Sequence, residues 1–162
     1  MTTPDPRRRS LDRGQVGAGA LAGLVHGVAL ALLVLAFAWY SLGGWPESAQ
    51  TVGGWALLAL AVLLLAGSWL AGTALLRRRG LRKARSITSW SLALSTVAVT
   101  ILSIAAGWLA IVIGVFSALV LWTGEYAEPL AFTAVAVVVL MGLLIATSTS
   151  LLFTAVFATP TD

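Results

Sequence analysis

The sequence predicts an all-α integral membrane protein, with about four transmembrane helices packed as an antiparallel bundle. Three observations carry that expectation: an apolar composition, four long uncharged stretches, and a lopsided distribution of basic residues. Of 162 residues, 59% are hydrophobic and only 10% are charged, and the mean hydropathy is +0.98. A soluble domain of this length carries about 25% charged residues because its surface must face water. Here too few polar side chains exist to cover a globular surface, so the solvent for most of the chain is lipid.

The elements follow in order. Residues 1–15 are polar and basic, with Pro4, Pro6 and Arg7-Arg8-Arg9, and read as a disordered cytoplasmic tail. A transmembrane domain over 16–158 comes next, and 159–162 form a second short cytoplasmic tail. The first span, 16–40, is uncharged apart from His26 and exceeds the roughly 20 residues that cross about 30 Å of hydrocarbon. A polar connection with Pro46, Glu47, Ser48 and Gln50 leads to the second span, 54–76, which stops at Arg77-Arg78-Arg79. The third, 87–122, is too long for one perpendicular crossing and too short for two, so a tilted or projecting helix is expected. Gly124, Glu125, Glu128 and Pro129 mark the last connection before the fourth span, 130–157.

Orientation follows from charge. All ten basic residues fall between Arg7 and Arg13 or between Arg77 and Arg85, whereas the other two connections hold Glu47, Glu125 and Glu128. The positive-inside rule places both termini and the basic loop in the cytoplasm, in a multi-pass protein of the inner cell membrane. Trp39, Tyr40, Trp45, Trp55, Trp122 and Tyr126 gather at the expected outer interface, with Trp69 and Trp90 near the inner one. Both are levels that amphipathic rings favour. A competing reading takes Arg7–Arg9, the first apolar stretch and Ala36-Phe37-Ala38 as a cleavable signal peptide. That stretch is longer than a signal core of about 7–15 residues.

Helix contacts in lipid rely on close packing and hydrogen bonds, because lipid tails are as apolar as leucine. In the first span Gly19, Gly23, Gly27 and Ala31 recur every four residues and form one flat ridge. In the third, Ser89, Ala93, Thr96, Thr100, Ser103, Gly107, Ala110, Gly114 and Ser117 make an unbroken seam of small residues in steps of four and three. It is expected to pack against another helix, its hydroxyls bonded back to helix carbonyls; the alternative is a hydroxyl-lined solute path. Gly142, Ala146, Ser150 and Thr154 repeat the theme in the fourth span.

Two further groups are candidates. His26 is the one titratable side chain inside a span, and such groups are functional candidates by default. It reads either as a neutral imidazole bonded to a seam hydroxyl or as a proton sensor. A relay would need a second titratable group, and no span supplies one. The loop cations Arg77, Arg78, Arg79, Arg82, Lys83 and Arg85 suffice to set topology and are candidates for contact with anionic lipid or a protein partner.

Much chemistry is excluded. The chain has no Cys and one His, which removes thiolate chemistry and leaves no set of ligands for a tightly held metal. Walker, dinucleotide and HExxH patterns are missing, and a Ser–His pair built on His26 would lack an orienting carboxylate. The basic residues are confined to two short segments, so no nucleic-acid partner is expected. No enzyme, cofactor or metal site is expected. The sequence favours a structural or accessory subunit that associates with other membrane proteins or with copies of itself, through its small-residue seams. The alternatives are a small transport or pore-forming protein, and a membrane anchor or sensor working through His26 and the basic loop.

Overall fold

The computed structural model describes residues 13–43, 46–121 and 127–157, and among them every regular element is an α-helix. Four helices follow one another: α1 (Arg13–Leu42), α2 (Glu47–Arg78), α3 (Ala84–Leu121) and α4 (Ala127–Phe157). At 1.5 Å per residue they are about 45 to 57 Å long. Each contains a window long and apolar enough to cross a membrane. The third stretch is one unbroken helix of 38 residues. The helices overrun the sequence-derived spans by several residues at most ends, since hydropathy marks the apolar window and not the hydrogen-bonded helix. Most of the N-terminal tail, the C-terminal tail and Trp45, Trp122 and Tyr126 lie outside the described residues.

Apolar side chains cover the outside as well as the inside. Leu63 is 70% exposed, Phe132 67% and Ile101 62%, on three different helices. A helix that is hydrophobic all round belongs in a large core or in a bilayer, and a chain of this size has no large core to offer.

The most extensive contact joins α1 to α4, followed by α3 with α4 and α1 with α2; α2 and α3 touch comparatively little. The α1–α4 contact runs along the glycine ridge. A Cβ placed on Gly19 would stand 2.6 Å from Thr154 Oγ1. One on Gly23 would stand 2.7 Å from the Ala146 carbonyl oxygen and from Thr147 Cα, and one on Gly27 would stand 3.0 Å from Leu143 Cδ2. As residue numbers rise along α1, they fall along α4. From the other side, Gly142, Ala146, Ser150 and Thr154 are all buried, and Ser150 Oγ donates to the Gly19 carbonyl over 2.7 Å.

Two apolar clusters lie at different levels of the bundle. One combines Ala18, Ala22, Leu76, Leu81, Ala84 and Ile87, with Phe153 and Phe157 against it. The other centres on Leu30, Val99 and Val138, flanked by Val34, Leu65, Leu102 and Ala106. The α2–α3 turn belongs to the first. Gly80 adopts φ +76°, a conformation nearly cost-free only for glycine. The Gly80 N–H donates to Arg77 O (2.9 Å) and the Leu81 N–H to Leu76 O (3.2 Å). These two bonds close the helix end as a Schellman motif, with Leu81 packed on Leu76 as that motif favours.

Gly23 therefore carries a direct test. Gly23→Ala is expected to destabilise the protein by about 1–3 kcal/mol, the usual range for overpacking, because two of its three nearest neighbours are backbone atoms and the third is the Ser150 Cβ, none of which can swing aside. Gly17→Ala, which would meet nothing within 4 Å, is expected to be neutral or stabilising by up to about 1 kcal/mol through helix propensity. Unfolding in mixed detergent, measured on both variants, checks the contrast.

Candidate functional site

Between the two apolar clusters lies a polar layer. Its centre is His26, whose side chain is 0% exposed. The ridge Ala18, Ala22, His26 runs one residue, or about 100°, behind the glycine ridge. It is therefore turned away from α4, toward α2 and α3. On α2 the imidazole meets Gly72: a Cβ there would lie 2.5 Å from His26 Cε1 and 3.1 Å from Thr88 Cγ2 of α3. The ring thus rests on bare backbone beside the Thr88 methyl, where three helices converge.

Helical spacing extends the layer. Thr88, Ser91 and Ser95 follow one another at three and four residues on α3 and are all buried; Ser68 and Thr73 are buried on α2. Two of these five hydroxyls, Thr88 and Ser68, are satisfied within their own helix. Thr88 donates to Ala84 O over 2.8 Å and Ser68 to Leu65 O over 3.0 Å. Ser95 and Thr149 lie 2.7 Å apart. Because Thr149 already donates to Ile145 O (2.8 Å), Ser95 is the donor of that pair. Four buried atoms lack a hydrogen-bond partner among the described residues: both ring nitrogens of His26, Thr73 Oγ1 and Ser91 Oγ. The seam hydroxyl that a neutral imidazole was expected to bond is not there; His26 faces Gly72 and the Thr88 methyl instead.

The layer sits close to the basic end of the bundle. Gly72 precedes Arg77 by five residues and Thr88 follows Arg85 by three, about 8 Å and about 5 Å along their helices. A single titratable group stands in this layer among hydroxyls, with no carboxylate and no second base on α2 or α3 around it. No group of three or more His, Cys, Asp or Glu side chains suited to a metal occurs among the described residues.

The other candidates divide. Gly19, Gly23 and Gly27 are spent on the α1–α4 contact. The α3 seam lies mainly outside the chain's own packing: Ser89, Ala93, Thr100 and Gly107 are exposed, and Thr96, Ser103, Ala110 and Gly114 half-buried. A Cβ at Gly107 or Gly114 would meet nothing within 4 Å. The seam hydroxyls bond back to their own helix, Thr96 to Leu92 O (2.8 Å), Thr100 to Thr96 O (2.8 Å) and Ser103 to Val99 O (2.7 Å). Ser89 accepts from the Trp69 indole N–H of α2 (3.0 Å). Arg77, Arg78, Arg79, Arg82, Lys83 and Arg85 are all exposed around the turn.

Sequence reasoning missed Gly72, Thr73, Thr88, Ser91 and Ser95 as partners of the His26 layer. The signal was the second, parallel series of small and hydroxyl residues on α3, one or two positions before the first. No protein family, curated protein or solved structure shows detectable similarity to this chain.

The hydrogen-bond pattern predicts a graded response to hydroxyl removal. Ser91→Ala and Thr73→Val delete hydroxyls that have no partner, so each is expected to be neutral or mildly stabilising. Ser150→Ala breaks the bond to Gly19 and is expected to cost about 0.6 kcal/mol, the mean for hydrogen bonds between membrane helices. Gly72→Ala, which drives a methyl into the imidazole, is expected to be the most damaging of the four. Equilibrium unfolding of the set in detergent checks the order.

Proposed function

We propose that this chain is an assembly subunit of the inner cell membrane, whose four helices cross the bilayer antiparallel with both termini in the cytoplasm. It associates with other membrane proteins, or with second copies of itself, through the outward seam of α3. The observation that carries this reading is the position of that seam. Ser89, Ala93, Thr96, Thr100, Ser103 and Gly107 form a shallow groove that the chain's own helices leave largely uncovered. Small residues in register allow a second backbone to approach closely, which is the main source of helix association in lipid.

The hydroxyls favour packing over passage of a solute. Thr96, Thr100 and Ser103 each place their one O–H on a carbonyl four residues back, so none offers a spare donor along a path. The orientation rests on the basic turn and the acid-bearing connections at opposite ends of the helices. His26, enclosed without a titratable neighbour on α2 or α3, fits a structural part better than a sensor.

The placement of Gly107 separates folding from association. Gly107→Leu is expected to leave the stability of the isolated chain within about 0.5 kcal/mol, as for a surface substitution. The same variant is expected to abolish chain–chain cross-links or copurification of membrane partners in mild detergent. Unchanged association would overturn the seam as the contact face. Thr100→Ala and Ser103→Ala are expected to be mild in both measurements; lost flux in liposomes with normal stability would instead make this a transport protein. A reporter fused after Asp162 is expected to act only as a cytoplasmic marker, and external activity would sink the topology.

His26→Gln is expected to leave the pH dependence of association unchanged, because among the described residues no second titratable group lies within a span beside the imidazole. Loss of a response near about pH 6 to 7, the imidazole window, would shift the reading to a sensor.

A further inference from the structure

A loop whose only task is to set topology needs charge and no fixed shape, because the positive-inside rule counts Lys and Arg near the ends of spans. The α2–α3 turn has both. Its backbone is closed by the Gly80 and Leu81 hydrogen bonds. It is then pinned from within: Leu81 and Ala84 are buried against Ala18 and Ala22 of α1, Leu76 of α2 and Ile87 of α3. Around that anchor Arg77, Arg78, Arg79, Arg82, Lys83 and Arg85 all point to the exterior, six cations in nine residues. Arg13, within two turns of Ala18, adds a seventh to the same end. The two acids that begin described helices, Glu47 and Glu128, stand at the opposite ends of α2 and α4.

We propose that this turn is a binding platform for the phosphates of a polyanionic lipid headgroup, one carrying two phosphates on a single molecule. The inference rests on the cytoplasmic placement of the turn and deepens it by naming the lipid class. Guanidinium groups take phosphate oxygens through paired N–H donors, and five of the six loop cations are Arg. A fixed backbone lowers the ordering cost of presenting them. Two phosphates joined in one headgroup engage neighbouring cations with a single loss of translational freedom, whereas two separate headgroups must each be immobilised. The pinned turn therefore selects covalently joined phosphates over the same charge spread across independent lipids.

The test uses the full chain in neutral detergent micelles doped with diphosphatidylglycerol, or with phosphatidylglycerol at the same total phosphate, and reads retained lipid by native mass spectrometry. Diphosphatidylglycerol is expected to bind about tenfold more tightly or better. The double variant Arg82→Gln, Lys83→Gln, which alters exposed side chains only, is expected to lose that preference without a change in thermal unfolding in undoped micelles. Equal binding of the two lipids at matched phosphate would overturn the proposal, as would a preference that survives the double variant. Inorganic pyrophosphate at the same phosphate concentration is expected not to displace the lipid; displacement would show that the turn recognises free diphosphate instead. Micelles have no sides, so the outcome does not depend on topology. An external reporter signal after Asp162 with lipid preference intact would refute the orientation alone, and a lost preference with the reporter cytoplasmic would refute this inference alone.

Discussion

The approach of α4 to the glycine ridge of α1 is the contact on which the rest of this structure depends. At Gly23 the opposing atoms are the Ala146 carbonyl, Thr147 Cα and Ser150 Cβ, so backbone meets backbone beside one small side chain. In a lipid solvent, where burial of apolar surface gives no advantage to one helix pairing over another, such close approach supplies the dispersion energy that selects a partner. It also sets rotation. Once Gly19, Gly23 and Gly27 face α4, the neighbouring ridge of Ala18, Ala22 and His26 has one direction left, toward α2 and α3. The convergence of three helices on His26 follows from the fit of a fourth.

That geometry explains why the polar layer lies where it does. Ser150 and Thr154 complete the α4 face and are buried with it, one hydroxyl bridging to Gly19 and the other returning to Ser150 O. A hydroxyl that bonds back to a carbonyl four residues earlier can be buried with no partner on another helix, as Thr88 and Thr154 do. His26 has no such local option, since its ring is directed across the interface. It finds space because Gly72 lacks a side chain, and it rests beside the Thr88 backbone and methyl without a well-formed hydrogen bond. An imidazole held this way costs free energy as a buried polar group, partly offset in a membrane protein because the unfolded state inside the bilayer also leaves polar groups short of partners.

The helix count, the helix ends to within several residues and the small-residue faces of α1 and α4 were legible in the sequence. The first two are written in charge and hydropathy, which act residue by residue. The faces of α1 and α4 were legible because each carries one uninterrupted series of small residues, Gly19-Gly23-Gly27 and Gly142-Ala146-Ser150-Thr154. On α3 the same logic was ambiguous. Two series run side by side, one through Ser89, Thr96 and Ser103 and the other through Thr88, Ser91 and Ser95, and a period of 3.6 cannot say which of them α4 will take. Burial settles it in favour of the second, continued by Val99, whose methyl lies 3.2 Å from where a Cβ on Gly142 would stand. The partner of His26 was illegible for a related reason. Gly72 offers no chemistry to read, and its significance appears only when three helices meet.

The seam that α4 does not take is left with residues that its own chain has little use for. Thr96, Thr100 and Ser103 are already satisfied, so they can face lipid without an unpaired donor, and their hydroxyls alone do not decide what covers them. Gly107 is more informative. A glycine inside a helix costs about 1 kcal/mol relative to alanine, and within this chain that cost is offset by no close contact, since a Cβ there would meet nothing within 4 Å. Gly67 of α2 is equally open, but it stands among Leu63, Leu64 and Leu70, which hold any approaching helix away. Gly107 continues a line of small side chains four residues beyond Ser103 and three before Ala110, flanked by the exposed Ile104, Trp108 and Ile111. A helix-weakening residue in such a line would be accounted for by close packing against a second surface, as the proposed assembly role requires. This is the physical ground for reading α3 as an assembly face.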